Sequence, residues 1–223
     1  MSEKVWIGYE GLLLELLPFG DEEVWNAGKS LSQAWNECER ANWMLGMCGI
    51  MVGKPGWPTH KQIVSVAITL AHSVIHFIHG GEERPRLAIE AAEAWVENPT
   101  EENSKKATDA ADASHDAYYA NIKVCNHAGA LASDACASAS DACVLQERVA
   151  LYASNAASAV AYATAYSVAY EAAGATDADA YEKVNKAISP ENSAVWDTTH
   201  IKMCDMIRDT LVFYALKGEV KCR

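Results

Sequence analysis

The chain has 223 residues and carries 30 acidic against 18 basic side chains, a net charge of −12. That balance excludes a general electrostatic footprint for bare nucleic acid, which needs clustered Lys and Arg. Half the residues are hydrophobic, but 39 are Ala, with only 13 Gly and 6 Pro, a composition that favours helix and excludes an all-β fold or a disordered chain.

No apolar run reaches the ~18 residues of a membrane span. No basic segment followed by an apolar core opens the chain, so no secretory signal is expected. Seven Cys without regular spacing read as reduced thiols of a cytoplasmic protein.

Residues 1–29 mix Trp, Gly, Leu and acids, and their apolar run is too short to classify by periodicity. The first helix is expected over 30–48, capped by Ser30 or Ser32, with Ala34, Trp35, Cys38, Trp43, Leu45 and Cys48 apolar. Gly53 to Pro58 is a loop. A second helix is expected over 59–79. Its polar stripe holds Lys61, Gln62, Ser65, Thr69, His72, Ser73, His76 and His79. Gly80-Gly81 ends it, and Pro85 opens a third helix over 85–97. Asn98-Pro99-Thr100-Glu101-Glu102 is a strong helix start.

From Thr100 to Ala173 there is no Pro and one Gly. A straight helix of that length would be about 110 Å long, against a radius of gyration near 17 Å for a compact domain of this size. An Ala-rich hairpin over 100–173 is therefore expected. Its turn falls at Asn126-His127-Ala128-Gly129, with a further break near Ser138–Asp141. Asp109, Asp112 and Asp116 share a face with Lys105 and Lys123, read as a solvated surface. Tyr162, Tyr166 and Tyr170 form a ridge, either a core seam or a ligand wall. No fixed repeat with a signature residue is visible. Gly174 closes the hairpin, a short helix follows at 177–188, and a last one at 190–217. The expectation is a single all-α domain over 1–223, an irregular bundle of about seven helices without significant sheet.

His72, His76 and His79 could hold a metal, but no HExxH and no CxxC accompany them, so no metal and no cofactor is expected. No phosphate-binding Gly loop and no nucleophile elbow occurs. Nothing marks catalytic residues, and the chain reads as a non-enzyme.

Two clusters stand out as binding candidates. The first is Trp35, Glu39 and Trp43 on related faces of the first helix. The second runs from Gly81 to Trp95 and sets Arg84, Arg86 and Glu90 around a helix start. Arg is unfavourable at that positive end and calls for a carboxylate partner, Glu39 or Glu90. The pair is either an ion-pair latch between the first and third helices or a recognition site.

At these residues the sequence resembles the Ala-rich, all-helical immunity proteins of bacterial polymorphic toxin systems. The resemblance rests on Ala34-Trp35 with Cys38 and Trp43, on Gly81 through Trp95, and on Asn98 to Asn103 followed by the Ala-rich stretch, covering about 30–175. It implies a protein that binds and neutralises a toxin or other effector protein, without direct nucleic-acid or membrane contact. A phage-borne antagonist of host defence, or a helical small-molecule- or metal-binding protein, are the alternatives.

Overall fold

The computed structural model describes residues 29, 31–124, 126–144, 146–173 and 194–211. Within them lie eight α-helices and no strand: α1 (Leu31–Glu37), α2 (Ala41–Ile50), α3 (His60–His72), α4 (Arg84–Glu97), α5 (Glu101–Lys123), α6 (His127–Asp141), α7 (Val149–Ala173) and α8 (Ala194–Thr210). The all-α expectation holds. The Ser30 cap, the Gly174 stop, the helix expected over 177–188 and both ends of the one over 190–217 lie outside the described residues.

Local chemistry sets most boundaries. Thr59 accepts from the Gln62 backbone N–H while Gln62 Oε1 accepts from the Thr59 N–H at 2.8 Å, a complete capping box for α3. Thr100 caps α5 by accepting from the Asn103 N–H. Pro85 sits in the first turn of α4, as expected. The second helix stops at His72 rather than at 79. Ser73 and Val74 donate their N–H groups to Leu70 and Ala71, three residues back, and a 3₁₀ turn follows at Ile75–Phe77.

The long Ala-rich segment folds back twice. The first turn is where the sequence placed it: Asn126 caps α6 by accepting from the Gly129 N–H at 3.1 Å. The second follows Asp141, where residues 142–144 turn and a 3₁₀ segment, Gln146–Arg148, leads into α7.

The α5–α6 hairpin contains a periodicity that the sequence reading missed. Ser140 Oγ donates to the Ala107 carbonyl, Ser114 Oγ to the Ser133 carbonyl, and Asn126 Nδ2 to Asn121 Oδ1, each at 2.8 Å. These contacts are one heptad apart along both helices, the register of an antiparallel coiled coil whose seam is made of small residues. Ala107, Ala111, Ser114, Ala117 and Asn121 are the buried face of α5.

Helix α7 packs against α2, α3, α6 and α8. It buries Ala153, Ala156, Ala157, Ala161 and Ala163 completely, so neighbours approach its backbone closely. The bulk of the core comes from Met44, Leu45, Ile63, Leu70, Ile89 and Ile207 on other helices and from Leu211 just past the end of α8. The tightest approach is Gly49 of α2, where a Cβ would stand 2.3 Å from the Ala150 Cα.

Because that clash is with backbone, Gly49→Ala must push α2 off α7. We expect a loss of about 1–3 kcal/mol, read by chemical denaturation. A wild-type midpoint would show that the two helices are not held in this contact.

Candidate functional site

The structure sorts the sequence-selected residues by accessibility. Trp35 and Trp95 belong to the core, 3% and 6% exposed, and Trp95 packs on the His60 ring at 4.8 Å. Trp43 is half-buried and Glu39 is exposed. Arg86 and Glu90 are exposed and Arg84 half-buried.

The expected latch between the first and third helices does not form. Arg84 makes a two-pronged contact with Glu82 in the preceding loop, Nε to Oε1 at 2.7 Å and Nη2 to Oε2 at 2.5 Å. Arg86 bonds Glu83 at 2.6 Å and Glu90 one turn on. Each guanidinium is therefore compensated within its own loop or helix, which meets the demand of a helix N-terminus locally. The Arg84 contact holds the Glu82 carboxyl below the usual range. Arg86 is the more exposed of the two arginines.

The histidine stripe is broken up. His72 ends α3 and meets Glu93 of α4 at 2.9 Å. His76 lies in the 3₁₀ turn against the Phe77 ring. Among the described residues no group of three His, Cys, Asp or Glu could hold a metal. The tyrosine ridge divides likewise: Tyr162 packs on Trp196 at 4.1 Å, Tyr166 is 5% exposed, and Tyr170 faces outward.

The first expected helix is two helices, and the break at 38–40 is a constellation that no local sequence signal announced. Arg40 is extended there, with φ −120° and ψ 102°. Helix α8 fills the gap with three side chains on one face. His200 Nδ1 accepts from the Ala41 N–H, the first of α2, at 3.1 Å. Arg208 Nε donates to the Trp35 carbonyl at 3.0 Å, and its Nη2 donates to the Cys38 carbonyl. Asp197 takes Arg40 Nη1 at 2.7 Å. Helix ends leave such N–H and C=O groups unsatisfied, and here a distant helix satisfies them. Cys204 of the same face is in hydrogen-bonding contact with Cys38, and that contact with burial raises its thiol pKa. Cys48, Cys136 and Cys143 are buried free thiols, the last two pushed up to about 12 by desolvation, which makes them unreactive.

A second unforeseen cluster joins α5 to α6. His115 stands between Asp134 (Nδ1 to Oδ1, 3.6 Å) and Asp141 (Nε2 to Oδ2, 3.5 Å). The Asp141 contact, followed by the fields of Asp134, Asp141 and Asp112, raises the imidazole pKa against a smaller desolvation effect. Burial raises that of Asp134.

The outward face of α5 carries the remaining feature. Lys105 pairs with Asp109 at 2.7 Å and Lys106 with Glu102 at 2.6 Å. Asp112 and Asp116, one turn apart and exposed, hold no ion pair among the described residues, and Arg84 reaches Asp116 only through its longer-range field. Tyr119 continues the stripe at 62% exposure. On neighbouring α4, Leu87 is 47% exposed.

A search for related families, characterised proteins and solved folds returned no match. No helix among the described residues is long and apolar enough to cross a membrane.

Two predictions separate these groups. Arg208→Ala strands two backbone carbonyls in a mostly covered place and should cost about 1–3 kcal/mol. Arg84→Ala removes a partly exposed local pair and should cost under about 1 kcal/mol; equal losses in urea denaturation would contradict this division. The His115 pKa is raised in the fold, so its contribution is complete below its unfolded value and is lost as pH rises through the folded one; the raised Asp134 acts in the same direction. His115→Gln should therefore lower the melting temperature at pH 5.5 more than at pH 9, and an equal drop at both would refute the charge account.

Proposed function

We propose that this chain is a non-enzymatic acidic binding protein that neutralises a basic effector or toxin protein, the role that its resemblance to immunity proteins implies. The observation that carries the reading is the outward face of α5. There two aspartates without ion pairs among the described residues, Asp112 and Asp116, stand beside the exposed ring of Tyr119. Like charges one turn apart on a helix cost a few tenths of a kcal/mol, and an incoming Lys or Arg removes that cost. The Tyr119 ring adds a face on which the cation's stem or guanidinium can lie.

Much of the acid on α4, α5 and the loop before α4 is already engaged. Glu82, Glu83, Glu90, Glu93, Glu102 and Asp109 each hold a basic or histidine partner. Carboxylates set among apolar side chains favour fast association with a cationic surface and discriminate against neutral ones. Arg84, at the start of the neighbouring α4, lies within the field of Asp116, and Arg86, Leu87 and Glu90 are further exposed groups of that helix. Trp35 and Trp95 support the fold from inside and leave the contact to exposed residues.

The test is affinity capture of protein partners with the full chain, native mass spectrometry of the eluate, and a repeat with Asp112→Asn, Asp116→Asn and Tyr119→Ala combined. A basic protein bound in simple stoichiometry, weakened tenfold or more by the triple variant and by added salt while the melting temperature holds, is the expected result. Recovery of a bound small molecule or metal instead of a protein would replace this reading with a ligand-binding one.

A further inference from the structure

His200 is fully buried, and the two nitrogens of its ring are treated differently. Nδ1 accepts from the Ala41 N–H at 3.1 Å. That bond requires a lone pair on Nδ1, so the neutral ring carries its proton on Nε2. Nε2 is buried and has no hydrogen-bond partner among the described residues. A buried donor left without a partner costs free energy, so the arrangement is kept against a penalty. It also fixes where an added proton goes. The single free lone pair of the ring is the one that holds Ala41, and protonating it sets two N–H donors face to face.

The surroundings oppose the added charge. Ala41 is the first residue of α2, so the cation would stand at the positive end of a helix. Arg40, in the α1–α2 break, repels it. Asp197 on α8 attracts it but is engaged by Arg40 at 2.7 Å. Glu39 of the break is exposed to solvent. Helix α2 contains no charged residue, and α7 has one, Glu171, in its last turn. On α8, Asp205 and Arg208 pair with each other at 2.8 Å. The nearest ring is Trp196, edge-on at 4.7 Å. The thiol pair Cys204 and Cys38 lies further along the same face and offers no compensating charge, because their mutual contact and burial keep Cys204 protonated.

We propose that α8 is an acid-released clasp: protonation of His200 breaks its bond to the N-terminus of α2 and undocks residues 194–211 while the helices α3–α7 stay folded. The seams differ in kind, which is why release is local. Helix α8 is tied to the break through Asp197, His200 and Arg208. The α5–α6 seam is tied by neutral Ser and Asn bonds, which do not titrate between pH 7 and pH 4, and by His115 between Asp134 and Asp141. Desolvation, assisted by Arg40, depresses the His200 pKa to about 4. Folded-state depression means the stabilisation is complete above the unfolded value and is lost as pH falls towards the folded one. Against an ordinary histidine, that predicts an undocked population about a hundredfold larger at pH 4 than at pH 7.

The experiment is hydrogen–deuterium exchange of the full chain at pH 7 and pH 4 under reducing conditions, corrected for intrinsic rates. In parallel, the His200 ring is titrated by NMR. Peptides from 194–211 and from 38–44 should lose protection at pH 4 while those from 107–140 keep it, with a midpoint that matches the ring titration. In His200→Asn the Oδ1 stands where Nδ1 was and cannot be protonated, so the acid-induced loss should disappear. If that variant does not dock α8 at pH 7, Arg40→Gln serves: removing the repulsive charge should raise the midpoint of the ring titration and, because docked and undocked values then lie closer, shrink the acid-induced loss of protection. Retained protection of 194–211 at pH 4, simultaneous loss across the whole chain, or an acid-induced loss undiminished in both variants would overturn the proposal.

Discussion

The short reach of alanine governs this bundle. Helix α7 buries five alanines completely, so its neighbours must come near its backbone to make contact at all. An alanine offers little area to the hydrophobic term, at about 25 cal/mol per Å². What it permits is dense packing and the many small dispersion contacts that go with it. Gly49 of α2 is the extreme of this geometry, with Ala150 where its side chain would be. The larger side chains that complete the core then have to come from α2, α3, α4 and α8, as Met44, Ile63, Ile89 and Ile207 do. Close helices also bring backbone carbonyls within reach of short hydroxyls, and the Ser114 and Ser140 bonds across α5–α6 follow from the same constraint.

The N-terminal helices obey a different rule. A continuous helix through 38–40 would use the Ala41 N–H and the Trp35 carbonyl internally. The break frees them, and α8 satisfies both with His200 and Arg208. Tertiary contacts made by residues about 160 positions away thus override a local preference for helix. The molecule holds two seams of distinct chemistry: α5–α6, with Ser and Asn bonds in heptad register beside the His115 cluster, and α8 against the break, tied through Asp197, His200 and Arg208.

This contrast also separates what could be read in the chain from what could not. Caps and breakers are local, so Pro85 and the stretches Asn98–Glu102 and Asn126–Gly129 marked their helix starts in advance. The cap of α5 is nonetheless Thr100, with Pro99 ahead of the helix, and Thr59 is the cap of α3 and not its first residue. The fold-back was forced by length alone. The heptad of Ala107, Ser114 and Asn121 against Ser140, Ser133 and Asn126 was present in the sequence, but alanine at nearly every third position hid it, since hydrophobicity barely varies there. The break at 38–40 had no local signal, because its cause lies on α8. Charge pairing was legible only in part: Glu90, one of the two partners expected, does take Arg86, but the latch to the first helix does not form. Arg84 and Arg86 needed carboxylates, as electrostatics demanded, but Glu82, Glu83 and Glu90 were nearer along the chain than Glu39 was in space.

Where binding energy can come from follows from the same accounting of exposure. Interfaces draw most of it from a few aromatic and Arg anchors that become buried on association. Trp35 and Trp95 are already buried by the fold and have nothing left to contribute. Tyr119 still exposes most of its surface, and beside it Asp112 and Asp116 are held in a mildly unfavourable pairing that a cation relieves. Several acids elsewhere on α4 and α5, Glu90, Glu93, Glu102 and Asp109, have exchanged their attraction for local partners, whereas Asp112 and Asp116 offer theirs beside an exposed aromatic ring. The exposed ring and the like charges one turn apart together give this stripe more to gain from a cationic partner than the buried tryptophans have.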